Sequence, residues 1–440
     1  MLKCIQIEEH RRKCIFMDKL ENNRGITLIA LVITIIVLLI LAGVSIAMIS
    51  SQDGIPGKAT SAKETQKKAA DEETVRLALQ AAMMNENGEI NETELGTELS
   101  KLGYKYEDAI VKKDGKSYAV LTDGSMIEGT KISELSLTAG GASENTNVID
   151  EYGNVFVLPK GFKITSDASN VTQGIVIEDV LANDNTSKGN QFVWIPVGDV
   201  KKVENNIIKI YSIEIARYVF DDKGNVDNTL TKTKSTEQLK LTSAATKYYI
   251  EKENLDTTFV KSVKENHGYY IGRYDAGDSL ATANNKPRDS ETEGTLVCKA
   301  EQQVYNYILK ENAKIKSENM YNGKTFKSAL INSFAWDTAI LFEQTFDDRI
   351  KTEDLLPYSK QTSLNKGSLP ITTGTSGDKI CNIYDMSGNC FEWDTETSNT
   401  STECVARGGI YSNSNYSTKN RRSTSDRAIA NGSFRPILYL

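Results

Sequence analysis

The sequence predicts an α+β protein in which an N-terminal membrane helix precedes two folded parts. Three observations predict this class: an uncharged apolar run at residues 26–49, a helical pattern followed by hairpin turns within residues 50–137, and a β-rich, loop-rich remainder at residues 150–440. The chain has 440 residues, more than one ordinary domain, and its 39% hydrophobic and 25% charged residues are typical of globular proteins.

The apolar run from Ile26 to Ile49 has 24 residues and no ionisable side chain. At about 1.5 Å per residue, a helix of this length crosses a hydrocarbon core of roughly 30 Å. Because positive charge is retained in the cytoplasm, the basic residues before the run predict that the N-terminus stays inside and the rest is exported. We expect a single-pass protein of a bacterial cell membrane with its C-terminal part extracellular. The basic residues are Lys3, Arg11, Arg12, Lys13, Lys19 and Arg24.

A secretory signal peptide would place its cleavage site after the apolar run, whereas Gly25-Ile26 lies before it. Residues 1–25 resemble the class III leader of type IV pilins and pseudopilins. The resemblance implies that a prepilin peptidase cleaves after Gly25, and that the helix starting at Ile26 anchors the protein or packs with pilus or pseudopilus subunits. The fifth residue after the cut is Ala30, where filament-forming pilins carry glutamate, so we expect a minor, tip or membrane-retained subunit. The alternative is an uncleaved single-span anchor.

Residues 50–137 are predicted to form a small module of one helix and a hairpin sheet. Turn residues at 52–57 precede a helix from about Lys58 to Asn85, in which Val75, Leu79, Ala82 and Met83 recur at helical spacing. Asp-Gly pairs at 114–115 and 123–124 are hairpin signals between short β-type runs. Small polar residues then predict a linker at 138–149. The predicted strands are Ala109–Lys112, Ser117–Leu121 and Met126–Ile127.

Residues 150–440 carry an ordered set of short motifs. They resemble, in order, the formylglycine-generating enzyme family, a version of the C-type lectin fold, which implies a β-rich domain over this whole part. Helical patterns are expected at Lys299–Asn312 and Ser328–Gln344. The motifs are V-W-I-P-V-G at 193–198, Y-Y-I-G-R-Y at 269–274, S-F-A-W-D-T-A at 333–339, N-I-Y-D-M-S-G-N-C-F-E-W at 382–393, R-G-G at 407–409 and F-R-P at 434–436.

The sequence predicts no enzyme. The resembled enzymes use two cysteines shortly beyond the R-G-G, yet Asn413 and Thr418 stand near those positions and residues 410–440 contain no cysteine. The histidine after the leader, His267, is expected to be structural or exposed rather than catalytic. The net charge of −7 and the lack of a dense basic block after Arg24 exclude nucleic acid as the main partner.

No organic cofactor is expected, and two open questions concern metal and sulfur chemistry. By the resemblance, Asn389 and Glu392 are candidate ligands of a structural Ca²⁺, although a turn Asn and a strand Glu are common without metal. Cys390 and Cys404 flank a predicted hairpin and could form a disulfide, but spacing alone does not decide their pairing.

The segment from Ile410 to Asp426 consists almost entirely of Ser, Asn, Tyr, Thr and Arg. This composition is typical of binding loops, because Tyr offers contact area, Asn and Ser adapt their hydrogen bonds, and Arg anchors. Its place between R-G-G and F-R-P resembles the mutated, ligand-binding positions of the variable proteins of diversity-generating retroelements. The alternative is a solvated polar loop. The predicted binding residues are Tyr411, Asn413, Asn415, Tyr416, Asn420, Arg421, Arg422 and Ser423.

We therefore expect a surface-exposed, membrane-anchored or pilus-associated binding protein, an adhesin or display protein, whose extracellular ligand is a protein or a glycan. Its binding site at 411–426 would be diversified by a retroelement. One alternative is a structural minor pseudopilin of a type IV pilus or a type II secretion-like assembly. Another is an enzyme of altered chemistry on the same fold.

Overall fold

A computed structural model describes residues 55–83, 89–137, 139–180, 188–242, 247–253, 255–279, 294–347, 349, 357–398 and 403–440. The chain divides into two compact units, Met1–Glu73 and Thr74–Leu440. The predicted leader, the cleavage site at Gly25 and Ile26, and the predicted membrane helix at 26–49 all lie outside the described residues. Among the helices that the structure does describe, none combines the length and apolar character of a membrane span.

The described part is a strand-rich α+β structure with few helices. The strands are β1 Ile90–Asn91, β2 Lys105–Glu107, β3 Ile110–Lys113, β4 Lys116–Val120, β5 Met126–Glu128, β6 Thr130–Lys131, β7 Thr146–Ile149, β8 Val155–Leu158, β9 Phe162–Ile164, β10 Val176–Asp179, β11 Gln191–Pro196, β12 Gly198–Glu204, β13 Ile207–Ile213, β14 Leu239–Thr242, β15 Lys247–Ile250, β16 Gly268–Gly272, β17 Gly277–Asp278, β18 Leu296–Val297, β19 Gln303–Val304, β20 Lys327–Leu330, β21 Lys379–Ile380, β22 Ile383–Tyr384, β23 Phe391–Thr397, β24 Glu403–Arg407, β25 Arg421–Ser425, β26 Gly432–Phe434 and β27 Pro436–Tyr439. The α-helices are α1 Ile55–Met83, α2 Glu92–Lys101, α3 Thr257–Asn266, α4 Lys310–Asn319 and α5 Ser333–Phe346.

The first unit is described only as residues 55–73, the beginning of helix α1. Pro56 and Gly57 lie in its first turn, where proline is tolerated because the first amide groups of a helix have no internal partner. The sequence predicts this helix from about Lys58 to Asn85, which is close to its observed bounds, Ile55 and Met83.

In the second unit, the end of α1 covers a four-stranded antiparallel sheet in the order β2-β3-β4-β5. Three residues of the predicted stripe, Val75, Leu79 and Ala82, are buried there with Val111 and Val120, whereas the fourth, Met83, is 36% exposed. The turn between β3 and β4 is the predicted Asp-Gly pair, and both of its residues adopt positive φ, as a tight hairpin turn requires.

Residues 139–149 carry regular structure where the sequence predicts a linker. Ala142 is buried and exchanges backbone hydrogen bonds with residues 161 and 162. Strand β7 pairs in parallel with β6 and antiparallel with β8, and β1 pairs with β13. Backbone pairing therefore joins the small module to strands beyond residue 150, and the domain boundary at 138–149 stays a prediction.

The remainder is built around a six-stranded antiparallel sheet in the order β20-β27-β16-β11-β10-β9. Its two central strands, β11 and β16, contain the first residues of the motifs V-W-I-P-V-G at 193–198 and Y-Y-I-G-R-Y at 269–274. Helices α3 and α5 pack on the sheet. The core is aromatic, and the rings of Trp194 and Tyr270 lie edge to face with centroids 4.9 Å apart.

A second sheet, in the order β25-β24-β23-β26, carries the R-G-G motif and the segment after it. Strand β23 pairs with β24 antiparallel and with β26 in parallel. Its core includes Phe391, Trp393 and Phe434. This sheet positions the candidate site.

The helix predicted at Lys299–Asn312 is wrong for most of its length. Glu301 and Tyr307 adopt φ values of 59° and 55°, which break a right-handed helix, and α4 begins only at Lys310. The second predicted helix begins later than expected. Residues 327–330 form β20, and Asn332 caps α5 by accepting a hydrogen bond from the amide of Ala335.

Candidate functional site

The segment after R-G-G is held by the antiparallel hairpin of β24 and β25, in which Arg407 pairs with Arg421 and Ala406 with Arg422. The two glycines of R-G-G allow the backbone of this segment to approach the rest of the domain closely. Gly408 has a φ of 78°, and a Cβ atom on Gly409 would lie 1.9 Å from the carbonyl oxygen of Ser387. Glycine is therefore required at both positions.

A buried network of ion pairs lies beneath this hairpin. The carboxylate of Asp337, on α5, contacts the guanidinium groups of both Arg407 and Arg421. The carboxylate of Glu396, on β23, forms ion pairs with two arginines: its Oε2 lies 2.7 Å from Nε of Arg421, and its Oε1 lies 3.2 Å from Nη1 of Arg217. Each of these five side chains is at least nine-tenths buried. The network therefore joins the hairpin to α5, to β23 and to the residues around 217.

The network sets the charge state of its carboxyl groups. Burial alone would raise the pKa of Glu396, but the guanidinium groups of Arg421, Arg407 and Arg217 outweigh it and hold that pKa below its ordinary value. The pKa of Asp394 is instead raised, first by burial and then by the charge of Glu396. Asp394 also lies 3.4 Å from Arg407.

Three of the eight predicted binding residues hold the segment in place: Tyr411 and Arg421 are buried, and Asn420 is half-buried. Tyr411 is 8% exposed and packs with Val304 and Cys390. The side chain of Asn420 accepts hydrogen bonds from the amide (2.8 Å) and hydroxyl (3.0 Å) of Ser417, so it closes a turn. Arg421 belongs to the ion-pair network. We interpret these three residues as the support of the segment.

Of the other five, Asn413, Asn415, Tyr416 and Arg422 form what we call the outer face. Ser423 is half-buried, pairs with the buried Val405, and lies on the same face of β25 as Arg421, so this predicted binding residue is not part of the outer face. The guanidinium of Arg422 lies over the ring of Tyr416, 5.2 Å from its centroid, and is exposed. Asn415 is exposed, and its amide donates to the side-chain oxygen of Asn413 at 2.9 Å. The structure therefore brings together aromatic, amide and guanidinium groups on one side of the segment.

A loop at residues 361–371, which sequence reasoning missed, borders the outer face. Thr362 forms an antiparallel bridge with Ser417, and the amide of Thr418 donates to the carbonyl of Gln361 at 3.0 Å. At the other end, the amide of Ile371 donates to the side chain of Asn389, whose carbonyl accepts from Tyr411. The polar composition of the loop gives no signal in the sequence that it belongs to this site.

The candidate calcium ligands are already engaged by protein groups. Both carboxylate oxygens of Glu392 accept hydrogen bonds from Arg435, at 2.7 and 3.0 Å, and the side-chain oxygen of Asn389 accepts from Ile371. Within the described residues, no group of three or more His, Cys, Asp or Glu is arranged to hold a metal ion. This donor set does not fit Ca²⁺, and we propose no metal here.

Cys390 and Cys404 are both thiols and are not joined by a disulfide. Cys390 precedes the first residue of β23, whereas Cys404 pairs with Thr397 at its other end, so the strand separates them. Thr418, near one position of the resembled enzymes' cysteines, is buried, and its carbonyl accepts from Trp336.

His267 lies away from the segment, where it ends helix α3 with a φ of 59°. Burial lowers its pKa, and Asp123 partly opposes this effect. It lines a cavity of about 310 Å³ together with Lys201, whose pKa burial lowers to about 8. The ammonium of Lys201 donates to the carbonyl of Val120 at 2.8 Å, which is a structural contact between β12 and β4.

Comparisons with known proteins give two solved structures with limited similarity. "Treponema denticola variable protein 1" is 14% identical with a TM-score of 0.28, and the match covers 46% of this chain and 99% of that one. The crystal structure of CarF is also 14% identical, with a TM-score of 0.26, over 56% of this chain and 98% of that one. No protein-family profile and no curated protein matches the chain. At these TM-scores, neither similarity assigns a function.

Proposed function

We propose that this chain is an extracellular binding protein, an adhesin or display protein with a C-type lectin-like domain, that presents the outer face to a ligand. A single observation carries the proposal. The segment after R-G-G has two different sides, one fixed to the domain by the ion pairs of Arg421 and one that exposes Asn415 and Arg422. A solvated polar loop has no need for such a support.

The composition of the outer face suits recognition of a ligand. A guanidinium stacked on a tyrosine ring is held in place before binding, which lowers the entropic cost of ordering it. The amides of Asn413 and Asn415 both donate and accept hydrogen bonds. Because the outer face has no histidine or cysteine, and none of its hydroxyl groups is paired with a general base among the described residues, the proposal is binding without catalysis.

We further propose that residues 26–49 anchor the protein in a bacterial membrane after cleavage at Gly25, in association with pilus or pseudopilus subunits. The support is the sequence of the leader and the apolar run. Retroelement diversification of residues 411–426 belongs to the same proposal. Its support is that Ser, Tyr, Thr and Asp are one-base or two-base codon neighbours of Asn, as mutagenesis targeted to the adenines of an Asn codon would produce.

Two variants with equal chemistry test the binding proposal. Asn415→Ala/Arg422→Ala removes an amide and a cation from the outer face, and Asn322→Ala/Lys324→Ala removes an amide and a cation of equal charge from an exposed turn between α4 and β20. The full-length protein is applied to a glycan array and to a phage-displayed library of random peptides. Probes that bind wild type should lose about tenfold in affinity on the first variant and none on the second.

Equal binding by wild type and both variants would contradict a role of the outer face. A structural pseudopilin predicts a further pattern: Asn415→Ala/Arg422→Ala would leave pilus or secretion assembly intact, and loss of Gly25 would abolish it. An enzyme of altered chemistry predicts turnover that disappears when Cys298, Cys381, Cys390 and Cys404 are replaced by Ser.

A further inference from the structure

The loop at residues 361–371 displays two leucines to solvent beside the outer face. Leu364 is 53% and Leu369 59% exposed, and Leu369 is the most exposed large hydrophobic side chain among the described residues. Single exposed leucines are common on protein surfaces. Two exposed leucines in one loop, next to an aromatic and cationic surface, require an explanation.

The leucine pair is fixed by hydrogen bonds within the loop. The hydroxyl of Ser363 donates to the carbonyl of Asn365 at 2.7 Å, and the side-chain oxygen of Asn365 accepts from the amide of Gly367 at 3.0 Å. The side-chain amide of Asn365 then donates to the carbonyl of Leu369 at 3.3 Å. These bonds fold the loop back on itself, so the two leucines are ordered before any partner arrives.

Both ends of the loop are tied to the binding segment. Thr362, two residues before Leu364, bridges to Ser417, which is next to Tyr416. Ile371, two residues after Leu369, bonds to Asn389, and Asn389 bonds to Tyr411. The leucine pair and the outer face therefore lie side by side.

The charge of this surface differs from that of the whole chain. The chain has 59 Asp and Glu residues and a net charge of −7, yet none of residues 361–377 or 405–425 is acidic. Lys366 and Arg422 are exposed there. Lys419 is half-buried, donates to the carbonyls of Phe220 and Asp221, and has Asp222 nearby, so its charge is not offered to a ligand. These two stretches of chain thus present two exposed leucines and two exposed cations among neutral polar groups, and they contribute no carboxylate.

We propose that loop 361–371 is the second half of the binding face, and that the ligand is a protein whose surface presents an apolar patch flanked by carboxylates. This inference rests on the proposed function and narrows its ligand. A protein partner buries the leucines and pairs acids with Lys366 and Arg422, whereas a neutral glycan leaves both leucine side chains in water.

The test compares Leu364→Ser/Leu369→Ser with the control Leu77→Ser/Leu102→Ser, which replaces two other exposed leucines at 55% and 47% exposure. A phage-displayed library of random 16-residue peptides is selected on the full-length wild-type protein. Enriched peptides should combine Asp or Glu with large apolar residues. Their affinity should fall about tenfold on the loop variant and stay unchanged on the control.

The inference is overturned if the enriched peptides lack this pattern, if they bind the loop variant as well as wild type, or if no peptide distinguishes the two. The proposed function would survive such a result if glycan or peptide binders still required Asn415 and Arg422. If neither the loop variant nor Asn415→Ala/Arg422→Ala affected any binder, both would fall.

Discussion

In the six-stranded sheet the buried side chains are aromatic and aliphatic, whereas beneath the hairpin of β24 and β25 they are arginines and carboxylates. Trp194, Phe192 and Tyr270 fill the first region by packing. Arg407, Arg421 and Asp337 fill the second by ion pairing. Apolar packing is non-directional and tolerates exchange by side chains of similar size, whereas an ion pair fixes two particular groups in one geometry. The candidate site is therefore supported by ion pairs, which restrict the geometry of the side chains more than apolar packing does.

The largest effect should come from breaking the ion-pair network. Asp337→Ala removes the carboxylate that Arg407 and Arg421 share and leaves the two buried cations with Asp394 and Glu396; breaking a buried ion pair by removing one partner costs about 3–5 kcal/mol of the free energy of unfolding. Urea denaturation measures the loss. The exposed Asp222→Ala serves as control and should stay within about 0.5 kcal/mol. A loss below about 1 kcal/mol for Asp337→Ala would mean that the network does not support the hairpin.

The two regions should also differ in their response to acid. The pKa of Glu396 is lowered in the folded state, so its stabilising contribution is present above its ordinary pKa of 4.5 and is lost as pH falls below that value. We expect the change in the free energy of unfolding from pH 5 to pH 3 to be less favourable in wild type than in Glu396→Gln, because only wild type loses this contribution. Equal slopes for the two proteins would contradict this assignment.

Asp394 should act in the opposite direction. Its folded pKa is raised, so the contribution is complete below its ordinary pKa of 3.8 and is lost as pH rises through the folded value. Asp394→Asn should therefore reduce the loss of stability on going from acidic to neutral pH. The same denaturation series measures both carboxyl groups.

A smaller effect is expected in the packed sheet. Ile177 is fully buried on β10, and Ile177→Val removes one methylene, which costs about 0.5–1.5 kcal/mol. The cost should not change between pH 5 and pH 3, because no titrating group faces the change. Urea denaturation at both pH values measures the loss of free energy of unfolding, and a loss that changed with pH would contradict the predicted difference between the two regions.

The smallest effect on stability should come from the outer face. Asn415→Ala and Arg422→Ala change exposed groups and should alter the free energy of unfolding by no more than about 0.5 kcal/mol. Thermal and urea unfolding measure it. A loss above about 2 kcal/mol would show that these residues support the fold, as Arg421 does, rather than the ligand.

The sequence predicts the strands of the core well and the orientation of the site residues poorly. Alternation and hairpin signals place β11, β16 and the turn at 114–115 near their observed positions. Alternation also says that Arg421 and Arg422 face opposite ways, but not which one is buried. That choice depends on Asp337 and Glu396, which lie 84 and 25 residues away in the chain. Pairings of this range cannot be read from local pattern.

The loop at 361–371 illustrates the same limit. Its leucines look like ordinary core residues in the sequence, and only the bridge from Thr362 to Ser417 shows that they lie beside the binding segment. The helix predicted at 299–312 failed for a related reason. The left-handed conformations of Glu301 and Tyr307 are set by tertiary contacts such as the bond from Tyr307 to Ile429.

The binding segment is proposed to have a fixed inner side and a free outer side for ligand. Sequencing the 3′ end of the gene and its neighbourhood in many cells tests this division most directly. We predict a near-copy of codons 405–440 that differs at adenines, with variation at codons 413, 415, 416 and 422 and constancy at codons 407–409, 411, 420 and 421. Variation at the inner positions, or an invariant segment with no copy, would contradict it.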